Sequence, residues 1–88
     1  MKITFDPAKD TANQAKHGLS LAVADGVEWD TAVVWPDIRL DYGERRHIAL
    51  AYIGNRLFNV VFVDRGNERR IIILRKANLR ELKRYAET

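Results

Sequence analysis

Two histidines and a set of arginines are the residues of this sequence best suited to acid–base and phosphate chemistry. His17 and His47 are its only imidazoles, and imidazole is the side chain whose unperturbed pKa lies closest to neutrality. Breaking a phosphodiester without a metal ion requires a base, an acid and cations that stabilise the charge developing on the phosphate. The sequence offers candidates for each of these roles, provided that the fold brings them together.

The cations are concentrated in the second half of the chain. Residues 45–88 carry eleven Lys or Arg against four Asp or Glu, whereas residues 1–44 carry four against eight. Nine of the eleven cations are arginines, whose planar guanidinium matches the geometry of phosphate oxygens. This distribution predicts a polyanionic partner, with RNA or DNA ahead of a membrane. An arginine-rich solvated surface is the alternative.

Three arginines are predicted to contact phosphate: Arg45, Arg65 and Arg75. Arg75 is expected on the strand face shared by Ile71 and Ile73, where a cation needs a function. The other arginines are assigned to solvation or to contacts with a protein partner; they include Arg69, Arg80 and Arg84.

The other candidates each have a structural alternative. His17 could be a helix C-terminal residue favoured by the helix dipole. His47 is expected on the same strand face as Arg45 and could be an ordinary exposed cross-strand residue. Tyr85 could donate a proton or stack on a base, but its position in a helical pattern also fits the edge of a core. Both interpretations remain open for each residue.

Several other chemistries find no support in the sequence. It contains no cysteine and no phosphate-binding glycine loop, and its two histidines have no metal-site spacing. We therefore predict no metal and no cofactor. No apolar run approaches the roughly 20 residues needed to span a bilayer. With 88 residues, of which 47% are hydrophobic, the chain is predicted to form one folded domain over residues 1–88, located in the cytoplasm.

Helix signals dominate the first part of the chain. After a short strand at residues 3–5, Asp6 is a predicted N-cap and Pro7 a first helical residue. This helix would end at His17, with Gly18 as its left-handed C-cap. A second helix is predicted to begin after the Ser20 cap and to end near residue 30.

Alternating and apolar patterns predict strands in the rest of the chain. Four strands are predicted, at residues 32–35, 45–52, 56–64 and 69–76. The strand at 56–64 is almost continuously apolar and should be central. Asn78 and Glu81 form a capping box that opens a final helix. The predicted fold is α+β, with a small antiparallel β-meander, two N-terminal helices and one C-terminal helix. Helices on one face would leave the other face open as a shallow surface for RNA, framed by the last helix.

Motifs spread over nearly the whole chain resemble the BrnT family, toxins of bacterial type II toxin–antitoxin pairs with a compact RelE-like fold. The matching residues are Phe5-Asp6-Pro7-Ala8-Lys9, Asn13, Lys16-His17-Gly18-Leu19-Ser20, Gly43-Glu44-Arg45-Arg46, Arg70-Ile71-Ile72, Arg75-Lys76-Ala77, Glu81 and Tyr85. The resemblance implies a ribonuclease that blocks translation by cutting RNA. It also implies an antitoxin, BrnA, that binds the toxin directly, carries a DNA-binding domain and dimerises to give a heterotetramer.

The resemblance and the residue types together give a predicted site. The predicted catalytic residues are Lys16, His17, Arg45, His47, Arg75 and Tyr85. The predicted RNA-binding residues are Arg45, Arg65, Arg75 and Lys76. The resemblance implies that these residues serve a metal-independent endoribonuclease.

Two positions depart from the family pattern. Phe5 stands where the family commonly has tryptophan, and Ile73-Leu74 stands where it commonly has Ser-Ala beside the basic cluster. The second change makes a small polar site bulky and apolar. Two alternative functions are therefore retained, a non-catalytic basic nucleic-acid-binding module and a degenerate toxin kept for antitoxin binding.

Overall fold

The computed structural model describes residues 1–88 as an α+β domain, as predicted. Its strands are β1 (Lys2–Phe5), β2 (Val33–Pro36), β3 (His47–Ile53), β4 (Arg56–Arg65) and β5 (Glu68–Lys76). Its α-helices are α1 (Pro7–His17) and α2 (Leu79–Ala86), and two 3₁₀ segments cover Leu21–Gly26 and Trp29–Thr31. Neither α-helix has the length and apolar character required to cross a membrane.

The five strands form one mixed sheet in the order β1-β5-β4-β3-β2. Neighbouring strands from β2 to β5 are antiparallel, but β1 runs parallel to β5. The prediction of a purely antiparallel meander is therefore wrong. Parallel partners cannot be joined by a tight turn, and here residues 6–67 lie between β1 and β5. The apolar strand β4 lies at the centre, as predicted.

Helix α1 follows its local sequence signals. The Asp6 carboxylate accepts a hydrogen bond of 2.8 Å from the Ala8 N–H, and Pro7 occupies the first helical turn, where an N–H would have no partner. Gly18 ends the helix with a φ of 70°, a left-handed conformation that favours glycine. The predicted bounds of this helix are confirmed.

The predicted second α-helix is wrong, because residues 21–26 adopt 3₁₀ geometry. Three residues per turn place Leu21, Ala24 and Val27 on one side, and all three are buried. Val23 lies outside this set and is 38% exposed. The Ser20 cap is present, and Asp10 of α1 accepts hydrogen bonds from the Ser20 hydroxyl and the Leu21 N–H, which ties the segment to α1.

The two faces of the sheet have different coverings. On the closed face, the buried side chains pack under the first 3₁₀ segment; they include Ala49, Ala51, Val60, Phe62 and Ile71. On the open face, the buried side chains form a smaller cluster of Ile48, Val61, Val63 and Ile72, edged by Trp35 and Ile73. Helix α2 covers only one end of the open face, which leaves the rest as a shallow depression.

Asn13 attaches α1 to the uncovered side of β5. Strand β1 pairs with β5 only as far as Ile71, so the backbone of β5 beyond that point lacks a strand partner on the edge opposite β4. The Asn13 amide replaces one, since its Nδ2 donates to the Leu74 carbonyl at 2.8 Å and its Oδ1 accepts from the Leu74 N–H at 3.1 Å. Asn13 is therefore an interior residue of α1, and it is only 5% exposed.

Candidate functional site

A cleft of about 410 Å³ lies on the open face of the sheet. Its floor is apolar and consists of Ile48, Val61 and Ile73. Its other lining residues are largely polar or cationic, with Lys16, His17, Trp35, Arg39, Arg75 and Arg84 among them. Three of the predicted catalytic residues, Lys16, His17 and Arg75, therefore line one cleft.

A β-bulge in β5 directs Arg75 into this cleft. Val61 of β4 pairs with Ile73, but the next residue, Phe62, pairs with Ile71, so one residue of β5 has no partner. Ile71 consequently belongs to the closed face, whereas Ile73 lies on the open face. The expectation that Arg75 shares a face with both isoleucines is therefore wrong for Ile71 and correct for Ile73.

The Arg75 guanidinium is fixed by Glu81 at the start of α2. Its Nη1 and Nη2 donate to Glu81 Oε1 and Oε2 at 2.9 and 2.8 Å, and Asn59 Nδ2 donates to Oε2 at 2.6 Å. The capping box adds a bond from the Asn78 N–H to Oε1. Burial opposes ionisation of Glu81, but the hydrogen bonds from Arg75, Asn78 and Asn59 outweigh it and lower the pKa of this carboxyl. Glu81 is therefore an ionised acceptor that orients Arg75.

His17 enters the cleft from the last residue of α1. Partial burial lowers the pKa of its imidazole, and the positive charges of Lys16 and Arg75 lower it further. The imidazole is consequently neutral at pH 7. A neutral imidazole beside two cations can accept a proton where a negative charge would be stabilised.

Arg39 and Arg84 are further cleft cations that the sequence reasoning did not select. Arg39 is held by the buried Asp37 carboxylate through Nε–Oδ1 and Nη2–Oδ2 distances of 2.8 Å. These bonds lower the pKa of Asp37 to about 2. The sequence predicts that Arg84 serves solvation or contact with a protein partner, yet its guanidinium carbon lies 3.7 Å from the centre of the Trp35 ring at the cleft wall.

His47 and Arg45 lie outside this cleft. The His47 ring stacks on Phe62 of the closed face, with centroids 5.6 Å apart and an interplanar angle of 19°. Strand β3 begins at His47 rather than at Arg45, which is exposed in the preceding loop. The expected shared strand face of these two residues is therefore absent.

Arg65 lies at the far end of β4 from the cleft. It lies six positions along β4 from Asn59, the partner of Arg75, which corresponds to about 20 Å of extended strand. Its Nη2 donates to Glu44 Oε1 at 2.6 Å. That hydrogen bond lowers the pKa of Glu44, so both groups are charged and paired. Arg65 and Arg75 cannot contact the same phosphate.

The last two predicted residues lie beside the cleft rather than in it. Lys76 is exposed at the end of β5, and strand alternation turns its side chain away from the face of Arg75. The Tyr85 hydroxyl donates to the Thr31 carbonyl at 2.9 Å, and its ring meets Tyr52 edge-on with centroids 5.4 Å apart. Tyr85 thus anchors α2 on the open face of the sheet.

Comparison with known proteins identifies the family. Residues 5–81 match the model of the ribonuclease toxin BrnT of type II toxin–antitoxin systems. The chain belongs to the BrnT family. It is also similar to the crystal structure of the Brucella abortus ribonuclease toxin BrnT, with 29% identity and a TM-score of 0.69 over 89% of this chain and 97% of that chain. A search of curated protein sequences found no significant match.

Membership of the BrnT family confirms the predicted resemblance. The family is described as a ribonuclease toxin, and a type II toxin implies an antitoxin partner. The match covers Lys16, His17, Arg75 and Glu81, the residues that the structure gathers around one end of the open face.

The sequence reasoning missed the residues that orient Arg75. Glu81 was assigned only to the capping box, and Asn59 was not selected. Asn59 did carry a signal, since it is the one amide within the apolar centre of β4 and is 5% exposed. A buried polar group requires a partner, and that requirement could have pointed to an interaction across the sheet face.

Proposed function

We propose that this chain is an endoribonuclease toxin that cuts RNA in the Arg75 cleft without a metal ion and thereby inhibits translation. The observation that carries the proposal is that His17, Lys16 and Arg75 line one cleft, where partial burial and the two positive charges lower the pKa of the imidazole. These three side chains come from α1 and β5, and they supply proton transfer and charge stabilisation in one place.

The proposed reaction is attack of the ribose 2′-oxygen on the adjacent phosphorus. His17 accepts the 2′-hydroxyl proton as the new P–O2′ bond forms, and the P–O5′ bond breaks to leave a 2′,3′-cyclic phosphate. Arg75 stabilises the additional negative charge on the phosphate oxygens through its charged N–H groups. Glu81 and Asn59 keep the guanidinium in one orientation, so less ordering is needed during the reaction.

The leaving 5′-oxygen must gain a proton. Arginine side chains remain protonated in proteins, and Glu81 is ionised because its pKa is lowered. Lys16 is the remaining cleft residue with transferable N–H protons. We therefore assign Lys16 as the proton donor and His17 as the proton acceptor.

The proposed partner is a BrnA-like antitoxin in the bacterial cytoplasm. Such a partner would bind the toxin directly, carry a DNA-binding domain and dimerise, which gives a heterotetramer. An acidic segment of the antitoxin would compete with RNA for the cleft cations, because both ligands present anionic oxygens to the same guanidinium groups.

Cleavage of single-stranded RNA in excess EDTA tests the proposal. We expect new 5′-hydroxyl and 2′,3′-cyclic phosphate ends with the purified wild-type chain. His17→Gln and Arg75→Ala should each lower the cleavage rate by about 10²–10⁴-fold. Arg56→Ala, at an exposed position outside the cleft, is the matched arginine control and should retain full activity.

Three results would contradict the assignment. A gel shift of RNA without new ends would support the binding-module alternative. Full activity in a folded His17→Gln variant, together with loss of activity in folded His47→Gln, would identify His47 as the proton acceptor. Loss of cleavage in EDTA that returns with a divalent metal would contradict the metal-independent reaction.

A further inference from the structure

Trp35 is a half-buried aromatic side chain at the wall of the cleft. It lies on β2, at the edge of the sheet, and pairs in register with Ile48. Its side chain packs against the open-face cluster and lines the same cleft as His17 and Arg75. The indole ring of Trp35 therefore lines the same cavity as the groups that would contact a scissile phosphate.

The ring of Trp35 is covered by the side chain of Arg84, which can be displaced. The guanidinium carbon of Arg84 lies 3.7 Å from the ring centre, and Arg84 itself is exposed on the last turn of α2. A cation over an exposed aromatic ring is held weakly, whereas the stacking of a nucleobase on an aromatic side chain is stronger. A base can therefore replace Arg84 on the ring.

Trp29, the other tryptophan, is a structural residue with which Trp35 can be compared. Its ring meets Phe62 edge-on at 5.3 Å, and Arg69 lies 4.3 Å from the centres of both rings. Arg69 is itself fixed by two hydrogen bonds to Asp64, of 2.8 and 3.0 Å. The cation over Trp29 is thus anchored by a carboxylate, whereas no salt bridge holds Arg84 over Trp35.

We propose that Trp35 is a nucleobase-binding subsite that stacks one base of the RNA strand beside the phosphate held by Arg75. This assignment rests on the proposed ribonuclease function and adds to it the residue that binds a base. Stacking involves the flat aromatic face of the base, and every nucleobase has one. The subsite therefore accepts any base and binds the larger purines more tightly. In this proposal Arg84 covers the ring in the absence of RNA and becomes a second contact to the RNA once a base displaces it.

Tryptophan fluorescence provides a direct readout, because the chain has only two tryptophans. Trp29→Phe leaves Trp35 as the sole emitter and changes only the closed face. We would titrate this variant with a 2′-O-methyl RNA trinucleotide, which lacks the hydroxyl needed for cleavage. Stacking should quench the Trp35 emission. The same trinucleotide with an abasic central residue should quench it less and bind more weakly.

Substitution of the ring tests the energetic contribution of the subsite. Trp35→Leu should weaken binding of the trinucleotide by about 5- to 150-fold, the range expected for one stacked base. Trp35→Phe should retain part of the affinity and serves as the folded substitute if the leucine variant is unstable. Arg84→Ala should leave the ring open and raise quenching at saturation, and Arg80→Ala on the same helix is the matched control.

The possible results separate the subsite from the reaction. Equal quenching by the normal and abasic trinucleotides would overturn the subsite, since the ring would then be sensing only charge. An unchanged KM for RNA in both Trp35 variants would also overturn it, while continued cleavage would leave the ribonuclease proposal intact. Base-dependent quenching in a chain that cuts no RNA would retain the subsite and refute the nuclease.

Discussion

The two faces of the sheet use the same strands for different purposes. The closed face packs alanines and large apolar side chains under the first 3₁₀ segment, and its fully buried residues include Ala49, Val60 and Ile71. The open face has a smaller apolar cluster and borders a cleft with five basic side chains. Alternation along a strand thus lets one face supply stability while the other holds cations that a packed core would exclude.

The two histidines illustrate the difference. His47 stacks on Phe62 of the closed face, so its imidazole contributes to packing. His17 belongs to a helix end that overhangs the open face, where partial burial and the charges of Lys16 and Arg75 lower its pKa. The surroundings, rather than the residue type, distinguish a structural imidazole from a candidate base.

The largest expected effect comes from the closed face. Phe62 is 2% exposed and contacts both Trp29 and His47. Phe62→Ala should lower the free energy of unfolding by about 3–5 kcal/mol, because it removes buried apolar surface and leaves a cavity. Chemical denaturation would measure this change. If the two faces are as separate as the structure indicates, the fraction of the variant that remains folded should cleave RNA at the wild-type rate.

A smaller effect is expected at the junction between α2 and the open face. Glu81→Gln removes the charge that orients Arg75 and should lower kcat by about 10²-fold. RNA affinity should not fall, because Arg75 then presents its full charge to phosphate. Steady-state kinetics separates kcat from KM, and Glu87→Gln at the exposed end of α2 is the control. A rise in KM with unchanged kcat would instead show that Glu81 contributes to binding of the RNA and not to the chemical step.

The smallest effect is a change in titration. Lys16→Gln should raise the pKa of His17, since one of the positive charges that lowers it is removed. Because the proposed base must be neutral, wild-type activity should fall only as the pH drops through this lowered pKa, and the variant should lose its residual activity at a higher pH. NMR titration of the imidazole protons measures the pKa without reference to activity. An unchanged His17 pKa would show that Lys16 lies too far away to influence it.

Local sequence signals predicted the elements whose causes are local. Asp6, Pro7 and Gly18 defined α1, and Asn78 with Glu81 defined the start of α2. The 3₁₀ segment was missed because alanine and valine fit either helical period over six residues. The distinction depended on which side chains the sheet would bury.

The arrangement of the site depended on long-range pairing that the sequence does not display. Nothing in the run from Ile71 to Leu74 marks the bulge, because each residue is apolar and suits either face. The parallel pairing of β1 with β5 depends on residues more than sixty positions apart. The sequence grouped Arg65 with Arg75, although only Arg75 lines the cleft, because distances along a strand could not be assigned before the strand partners were known.

The parallel pairing of β1 with β5 also sets the order in which the molecule can become functional. During synthesis, α1 leaves the ribosome before the strand that pairs with β1 and carries Arg75, and α2 with Glu81 emerges after that strand. His17 therefore has no cationic partner from β5 until that strand has emerged. The cleft can form only after β5 and α2 are available, so the proposed nuclease cannot act while either element is still inside the ribosome.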